Sequence, residues 1–238
     1  MRDVSPAQSA EGRANAPSPL LIAGAGGLAR ETLELVGALN DESPAWQLIG
    51  LLDDDPRQHG SRIQGVPVIG PCHAVHSYPE ASIGVCVATP DDPLRRLDLV
   101  LRLELRRERY ATLIHPAAVV ASSASLGPGC VLHATTVLTA DVSLGAHVVA
   151  MPGVVLTHDV VAGDGVTFGA GARVAGRVTI GRGAYIGSGA LLRERVVVGE
   201  GAVVGMGAVV TKSVPPGETW AGVPARRLGS RDLVGAGR

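Results

Sequence analysis

The stretch LTHDVVAGDGVTFGAGARVAGRVTIGRGAYIGSGA, residues 156–190, returns to an apolar residue at every sixth position: Leu156, Ala162, Phe168, Val174, Ile180 and Ile186. Four residues after each comes a small or β-branched one: Val160, Val166, Ala172, Val178, Ala184 and Ala190. Stepping outward, the first series runs unbroken from Ile114 to Val210 and the second from Ala118 to Val214. A helix stripe recurs at 3.6 residues and a plain strand at 2, so a period of six demands a short strand, a turn and repetition. Gly follows the first apolar residue at 127, 145, 163, 169, 181, 187, 199 and 205, where a tight corner needs it. Three such sides close a triangular coil of eighteen residues. At about 4.8 Å per coil, the repeat makes a prism about 27 Å tall. Its interior positions form apolar ladders, and only its two ends expose unpaired backbone.

The composition agrees with a repetitive β architecture. Hydrophobic residues make up 46% of the 238, but aromatic ones only 3%, so the core is built from the small and branched types that stack in layers. The formal net charge of -1 supplies no field for nucleic acid or an anionic membrane, and neither partner is expected. Mean hydropathy is positive, yet Gly and polar residues cut every long apolar run, so no transmembrane helix is expected. Cys72, Cys86 and Cys130 are odd in number and lack paired spacing, which points to a reducing, cytoplasmic setting.

Before the repeat the pattern changes. PLLIAG (19–24) reads as a buried strand and GGLARETLELVGAL as a helix. WQLIGLLDDD follows as a strand ending in acids, VPVIG as a short strand, and SIGVCVAT (82–89) as another buried strand. DPLRRLDLVLRLELRRER (92–109) reads as an amphipathic helix whose arginines form a solvated face. This alternation is a small Rossmann-like βαβ domain with a parallel sheet. The expected organisation is α/β plus all-β: a tail over 1–18, the Rossmann-like domain over 19–112, the β-helix over 113–228 and a second tail over 229–238.

Two places carry chemistry. Gly24-Ala25-Gly26-Gly27-Leu28-Ala29 is a GxGxxA turn feeding a helix, where backbone N–H groups can hold a diphosphate, and Asp53, Asp54 and Asp55 end the next strand at the same sheet edge. Some ninety residues supply only one half of a dinucleotide fold, so a mononucleotide ligand is favoured over NAD. Inside the repeat, His158 sits two residues past an interior position, beside Asp159. Stacking by eighteen puts Ala140 below it and Gly176 above, which leaves room for a substrate and lets the imidazole act as a general base. The other histidines are weaker candidates: His115 precedes Pro116 at the domain junction, and His133 and His147 occupy other turn positions. Zinc is the sharp alternative. However, the close histidine pair of the hexapeptide-repeat carbonic anhydrases is missing, and Cys72-His73 with His76 has no fourth ligand, so no metal is expected.

From Pro19 to Leu228 the chain resembles the sugar O- and N-acyltransferases related to sialic acid O-acetyltransferase, which include acetyltransferases of nucleotide-linked 4-amino sugars. The resemblance rests on GAGGLA, LLDDD, LTHDVVAGDGV and the terminal VVGMGAVVTKSVPPGETWAGVPAR (203–226). It implies a left-handed coil and a homotrimer, with acetyl-CoA as co-substrate in a groove between prisms. It also implies His158 as proton acceptor, with Asp159 enhancing it. Gly26, Gly27, Leu28, Asp53 and Asp54 fall where family members hold the nucleotide-linked amino sugar, with Thr89 and Pro90 closing over it. Thr167, Gly176, Ser188 and Met206 fall where acetyl-CoA is bound. Two positions depart from the pattern: Leu28 and Thr167 stand where amino-sugar members usually carry histidine. Leu28 cannot hydrogen-bond, whereas Thr167 keeps a hydroxyl. The reaction expected is acetylation of a sugar 4-amino group; the alternatives are sugar O-acetylation and a nucleotide-sugar-binding trimer without catalysis.

Overall fold

The computed structural model describes residues 16–230, so most of the two expected tails lies outside the described residues. Strand β1 (Ser18–Ala23) already includes Ser18, whose N–H donates to the Ala45 carbonyl, and a closing strand (Arg226–Ser230) takes in Gly229 and Ser230.

The first domain is a five-stranded sheet ordered β3-β4-β2-β1-β5, with β2 at Trp46–Leu52, β3 at Arg62–Ile63, β4 at Val66–Gly70 and β5 at Ser82–Val85. It is parallel throughout except for the β3–β4 hairpin. Leu20, Leu21, Ile22 and Ala23 are wholly buried, as a central parallel strand covered on both faces requires. Helix α1 (Gly27–Glu42) lays Ala29, Leu33, Leu35 and Val36 on the sheet.

Two expected elements are shorter in the structure. The strand expected over 82–89 stops at Val85, because Cys86 N–H makes the last bond to Ala23 before the chain turns away. The helix expected over 92–109 is α2 (Arg95–Leu103), ended by Glu104 in a left-handed conformation at φ 48°. The chain turns there so that Tyr110 and Ala111 can reach Ile83 of β5. Nor do all the α2 arginines form a solvated face. Arg96 is 2% exposed, wedged between α2 and the prism, where it donates to the Gly165 carbonyl and the Thr167 hydroxyl. Burial lowers its pKa to about 10, so it remains a cation at neutral pH.

From Leu113 onward the chain winds into a left-handed parallel β-helix of three flat faces in an eighteen-residue register as far as Val210; the last coil is two residues shorter and sets Val214 opposite Val198 and Thr219 opposite Val203. Face one holds Val131–Leu132, Val149–Ala150, Thr167–Phe168, Tyr185–Ile186 and Val203–Val204. Face two holds Val119–Val120, Val137–Leu138, Val155–Leu156, Arg173–Val174, Leu191–Leu192 and Val209–Val210. Face three holds Ser143–Leu144, Val161–Ala162, Thr179–Ile180 and Val197–Val198. The second residue of each strand points inward, so the ladder from Leu132 to Val210 is buried in one continuous core. Each fully buried Val, Leu or Ile contributes about 1.5–3 kcal/mol.

The two domains share apolar surface. Leu113, Val131 and Val149 of face one join the cluster under β1 and α1. Leu97 and Leu94 press onto Gly165 and Gly183, where a Cβ would fall 2.5 and 2.3 Å from them.

Candidate active site

Each corner of the prism places one residue in the left-handed region, six apart from 129 to 207. Two edges fill this position mostly with Gly. On the edge between faces two and three it is held by Asp141, Asp159, Arg177 and Arg195, at φ between 58° and 62°. An L side chain there costs on the order of 1 kcal/mol. This edge therefore carries a column of charged side chains where the other two carry mostly Gly.

His158 stands on this edge. Its Nδ1 lies 2.9 Å from Asp159 Oδ2, and a carboxylate can only accept, so in the neutral ring the proton sits on Nδ1 and the lone pair on Nε2. The bond from His158 holds the Asp159 carboxyl below its usual pKa, and Arg177 Nε, 3.4 Å from the same oxygen, acts in the same direction. The ring leans over Gly176, where an added Cβ would lie 2.4 Å from both Cε1 and Nε2. The expected stacking is visible in the backbone: Asp159 N–H donates to Ala140 and Arg177 N–H to His158. His158, Gly176, Arg177, Glu194 and Arg195 line an open groove of about 490 Å³.

Ser188 and Met206 occupy the edge between faces one and two, one coil apart, with Gly207 N–H donating to Ser188. Met206 is 81% exposed. Within one chain this edge and the His158 edge are the two borders of face two. Thr167 does not join them. It is 4% exposed and its hydroxyl is taken by Arg96, so it is closed to a co-substrate, contrary to expectation. Its side chain points outward from face one, the face that the first domain covers.

The glycine turn and the acids come together in a second cavity of about 490 Å³, lined by Gly24 to Leu28, Asp53, Asp54 and Asp55. Gly24 is demanded by the protein itself: its φ is 113° and a Cβ would approach the Cys86 carbonyl oxygen to 2.6 Å. Gly26 and Gly27 are not. Neither has a positive φ, and an added Cβ would meet nothing within 4 Å. They open the N-terminus of α1, which has no side-chain cap, toward the cavity.

Asp53 accepts from the N–H groups of Ala25 and Asp55, and Asp54 from Cys72 N–H and Arg102. Both acids therefore shape the cavity as well as border it. Thr89 and Pro90 follow Val87 and Ala88 of the wall without lining it themselves. Cys72 and Cys86 also face this space, and burial raises their pKa to about 12 and about 11, so they remain thiols.

Sequence reasoning missed the cations of both sites. Arg57, Arg95 and Arg102 line the cavity; Arg57 pairs with Asp55 and Arg102 with Asp54. No motif spacing marks them, because the fold brings them in from a turn and from α2. Arg177, Glu194 and Arg195 were accessible to the same eighteen-residue step that found Gly176. His133 and His147 are buried, and desolvation lowers each pKa to about 4. Among the described residues no group of three or more His, Cys, Asp or Glu is placed to hold a metal ion, and no helix is long and apolar enough to cross a membrane.

Residues 19–97 match the family model of the PglD N-terminal domain, and residues 177–212 that of the bacterial transferase hexapeptide (six repeats). Among solved structures, the chain is similar to the acetyltransferase domain of PglB from Neisseria gonorrhoeae FA1090 in complex with acetyl coenzyme A. The identity is 31%, over 89% of this chain and 100% of that one, with a TM-score of 0.77. It is also similar to a mutant of perosamine N-acetyltransferase from Caulobacter crescentus in complex with CoA and GDP-perosamine (28% identity, 89% and 97% coverage, TM-score 0.78). WeeI from Acinetobacter baumannii AYE shares 29% identity over 88% and 99% of the two chains, with a TM-score of 0.73. The curated proteins contain no match. With both halves matched and a 31% identical relative followed along its whole length, the chain belongs to the hexapeptide-repeat acetyltransferases that carry a PglD-type N-terminal domain.

Proposed function

We propose that the protein transfers acetyl from acetyl-CoA to the 4-amino group of a nucleotide-linked sugar, with His158 as proton acceptor. The observation that carries this is the His158–Asp159 bond, which assigns the proton of the neutral ring to Nδ1 and so the lone pair to Nε2, over Gly176. The amine nitrogen attacks the thioester carbonyl, His158 takes its proton, the C–S bond breaks, and the proton passes to the departing CoA thiolate. That two similar structures hold acetyl coenzyme A or CoA with GDP-perosamine supports the same pair of substrates here.

The acceptor's diphosphate is assigned to the cavity of the first domain. Gly26 and Gly27 provide close backbone approach there, and the uncapped start of α1 favours an anion. The three free cysteines fit a cytoplasmic setting.

The working unit is a homotrimer packed through face two. Five of its six outward residues are apolar: Val119, Val137, Val155, Leu191 and Val209, interrupted by Arg173. Val119 and Leu191 are among the exposed large hydrophobics of the single chain. Because His158 borders this face on one side and Ser188 and Met206 on the other, threefold packing sets the His158 edge of one prism against the Ser188 edge of the next. Acetyl-CoA lies in that seam.

The deciding experiment is His158→Ala assayed by release of free thiol with a set of nucleotide-linked amino sugars. Loss of one general base lowers kcat/KM by about 100-fold or more. A variant within a few-fold of wild type would dismiss His158 as the base.

A further inference from the structure

We infer that Arg96 is a positioning residue for acetyl transfer: its bond to Thr167 selects the coil on which α2 sits and so sets the height of the first-domain cavity relative to His158. This rests on the acetyl-transfer reading above. Helix α2 works on two sides. On one, Arg95, Leu99 and Arg102 line the cavity, and Arg102 pairs with Asp54. On the other, Leu97 and the N-cap Leu94 press onto Gly165 and Gly183, while Arg96 donates to the Gly165 carbonyl and the Thr167 hydroxyl.

The apolar contacts alone do not choose the coil. Gly165 and Gly183 stand eighteen residues apart on the edge between faces three and one. Three residues of helix rise about 4.5 Å and one coil about 4.8 Å, so Leu94 and Leu97 step down this edge in register. Gly201 continues the column one coil higher in the same left-handed conformation, at φ 60°. Its N–H donates to the Arg182 carbonyl as that of Gly183 does to Asp164. A seat on Gly183 and Gly201 would therefore offer the two leucines the same bare backbone. One coil lower, His147 fills the corner with a buried imidazole and closes that direction.

The polar contact breaks this degeneracy. Two places after these corners, the outward residues of face one are Val149, Thr167, Tyr185 and Val203. Thr167 alone carries a hydroxyl next to the backbone. Arg96 is 2% exposed and is held by two neutral acceptors, and no ion pair among the described residues includes it. A guanidinium buried in this way is a poor source of stability, because a well-packed apolar side chain of similar length buries at lower cost. A buried polar group that fixes register at the expense of stability accounts for it better. Register matters to the reaction: one coil would displace the cavity by about 4.8 Å, and a misplacement of about 1 Å can lower a rate on the order of 100-fold. Because the prism is a rigid stack, α2 held to its own coil is held relative to every His158 of the assembly.

The test compares wild type with Arg96→Met and Thr167→Val, which remove the bond from either side at nearly constant volume. Thermal melts check that both variants fold. In each, kcat with the nucleotide-linked amino sugar is expected to fall about tenfold or more, while calorimetry returns unchanged Kd values for that sugar and for CoA. kcat/KM for the same amino sugar freed of its nucleotide, which the cavity does not hold, is expected to stay at the wild-type value. Arg96→Lys keeps a donor and is expected to recover part of the loss. Unchanged kcat in both variants overturns the assignment. So does a fall in kcat matched by weaker nucleotide-sugar binding, which would place the effect of Arg96 in the cavity itself. An equal loss with the free amino sugar overturns it too, by placing the effect on the prism. Wild type that releases no thiol with any acceptor would instead overturn the acetyl-transfer reading, and the positioning role with it.

Discussion

The imidazole of His158 occupies the space that a side chain at Gly176 would fill: a Cβ there would lie 2.4 Å from both Cε1 and Nε2. The φ of Gly176 is not in the left-handed region, so the backbone tolerates alanine. Gly176→Ala is therefore expected to leave the melting temperature within a few degrees of wild type while displacing the ring. kcat/KM should fall on the order of 100-fold, comparable to the loss of the base itself. Steady-state kinetics beside a thermal melt checks both halves.

The two kinds of glycine in the first domain separate stability from binding. Gly24→Ala forces a Cβ toward the Cys86 carbonyl at φ 113° and should cost about 2 kcal/mol or more in denaturant unfolding. Gly27→Ala meets open space at the first position of α1 and should not destabilise the fold. It should instead weaken nucleotide-sugar binding about tenfold or more, as read by titration calorimetry.

Face two can be tested by charge. Leu191→Glu places a carboxylate on the exposed apolar row, and in a threefold assembly three such groups meet near the axis. Light scattering should report monomer in place of trimer, with activity lost together with assembly because the seam needs two subunits. An active monomer would refute the shared site.

Arg96 joins the domains through hydrogen bonds to Gly165 and Thr167, while its Nε and Nη1 meet no hydrogen-bond partner among the described residues. Arg96→Ala removes both bonds and leaves a cavity, an expected loss of roughly 2–4 kcal/mol. Arg96→Met keeps the apolar stem and sheds the unpaired polar atoms, so it should cost less than half as much. Urea denaturation of the two variants gives the comparison.

The buried histidines set an acid limit. His133 and His147 have folded pKa values of about 4 because burial penalises the charged ring, against an ordinary 6.5. The unfolded chain thus binds more protons between these values. Stability is full above pH 6.5, falls as the pH drops toward 4, and levels off below it. Each pKa unit corresponds to about 1.4 kcal/mol, so melting temperature should decline steeply across this window. Replacing His147 with Gln should flatten the slope.

Sequence alone determined the prism, because an eighteen-residue coil forces every interior position to repeat in register. The ladder from Leu132 to Val210, the contact of His158 with Gly176 and the alignment of Ser188 with Met206 are all local periodicities written along one chain. The first domain was legible as alternating buried strands and a helix, less so at its ends. The helix expected over 92–109 stops at Leu103 because Tyr110 must reach β5, a constraint set by a strand far away in sequence. Only the tertiary structure decided the rest. Arg96, written as one arginine of a charged helix, is buried against the prism and closes Thr167. The glycines of one turn divide into one that the fold needs and two that it leaves open. The cations of the first cavity come from separate elements. Periodicity determines what stacks on what within the coil; which outer face another domain covers depends on docking two surfaces, and no repeat in the sequence encodes that.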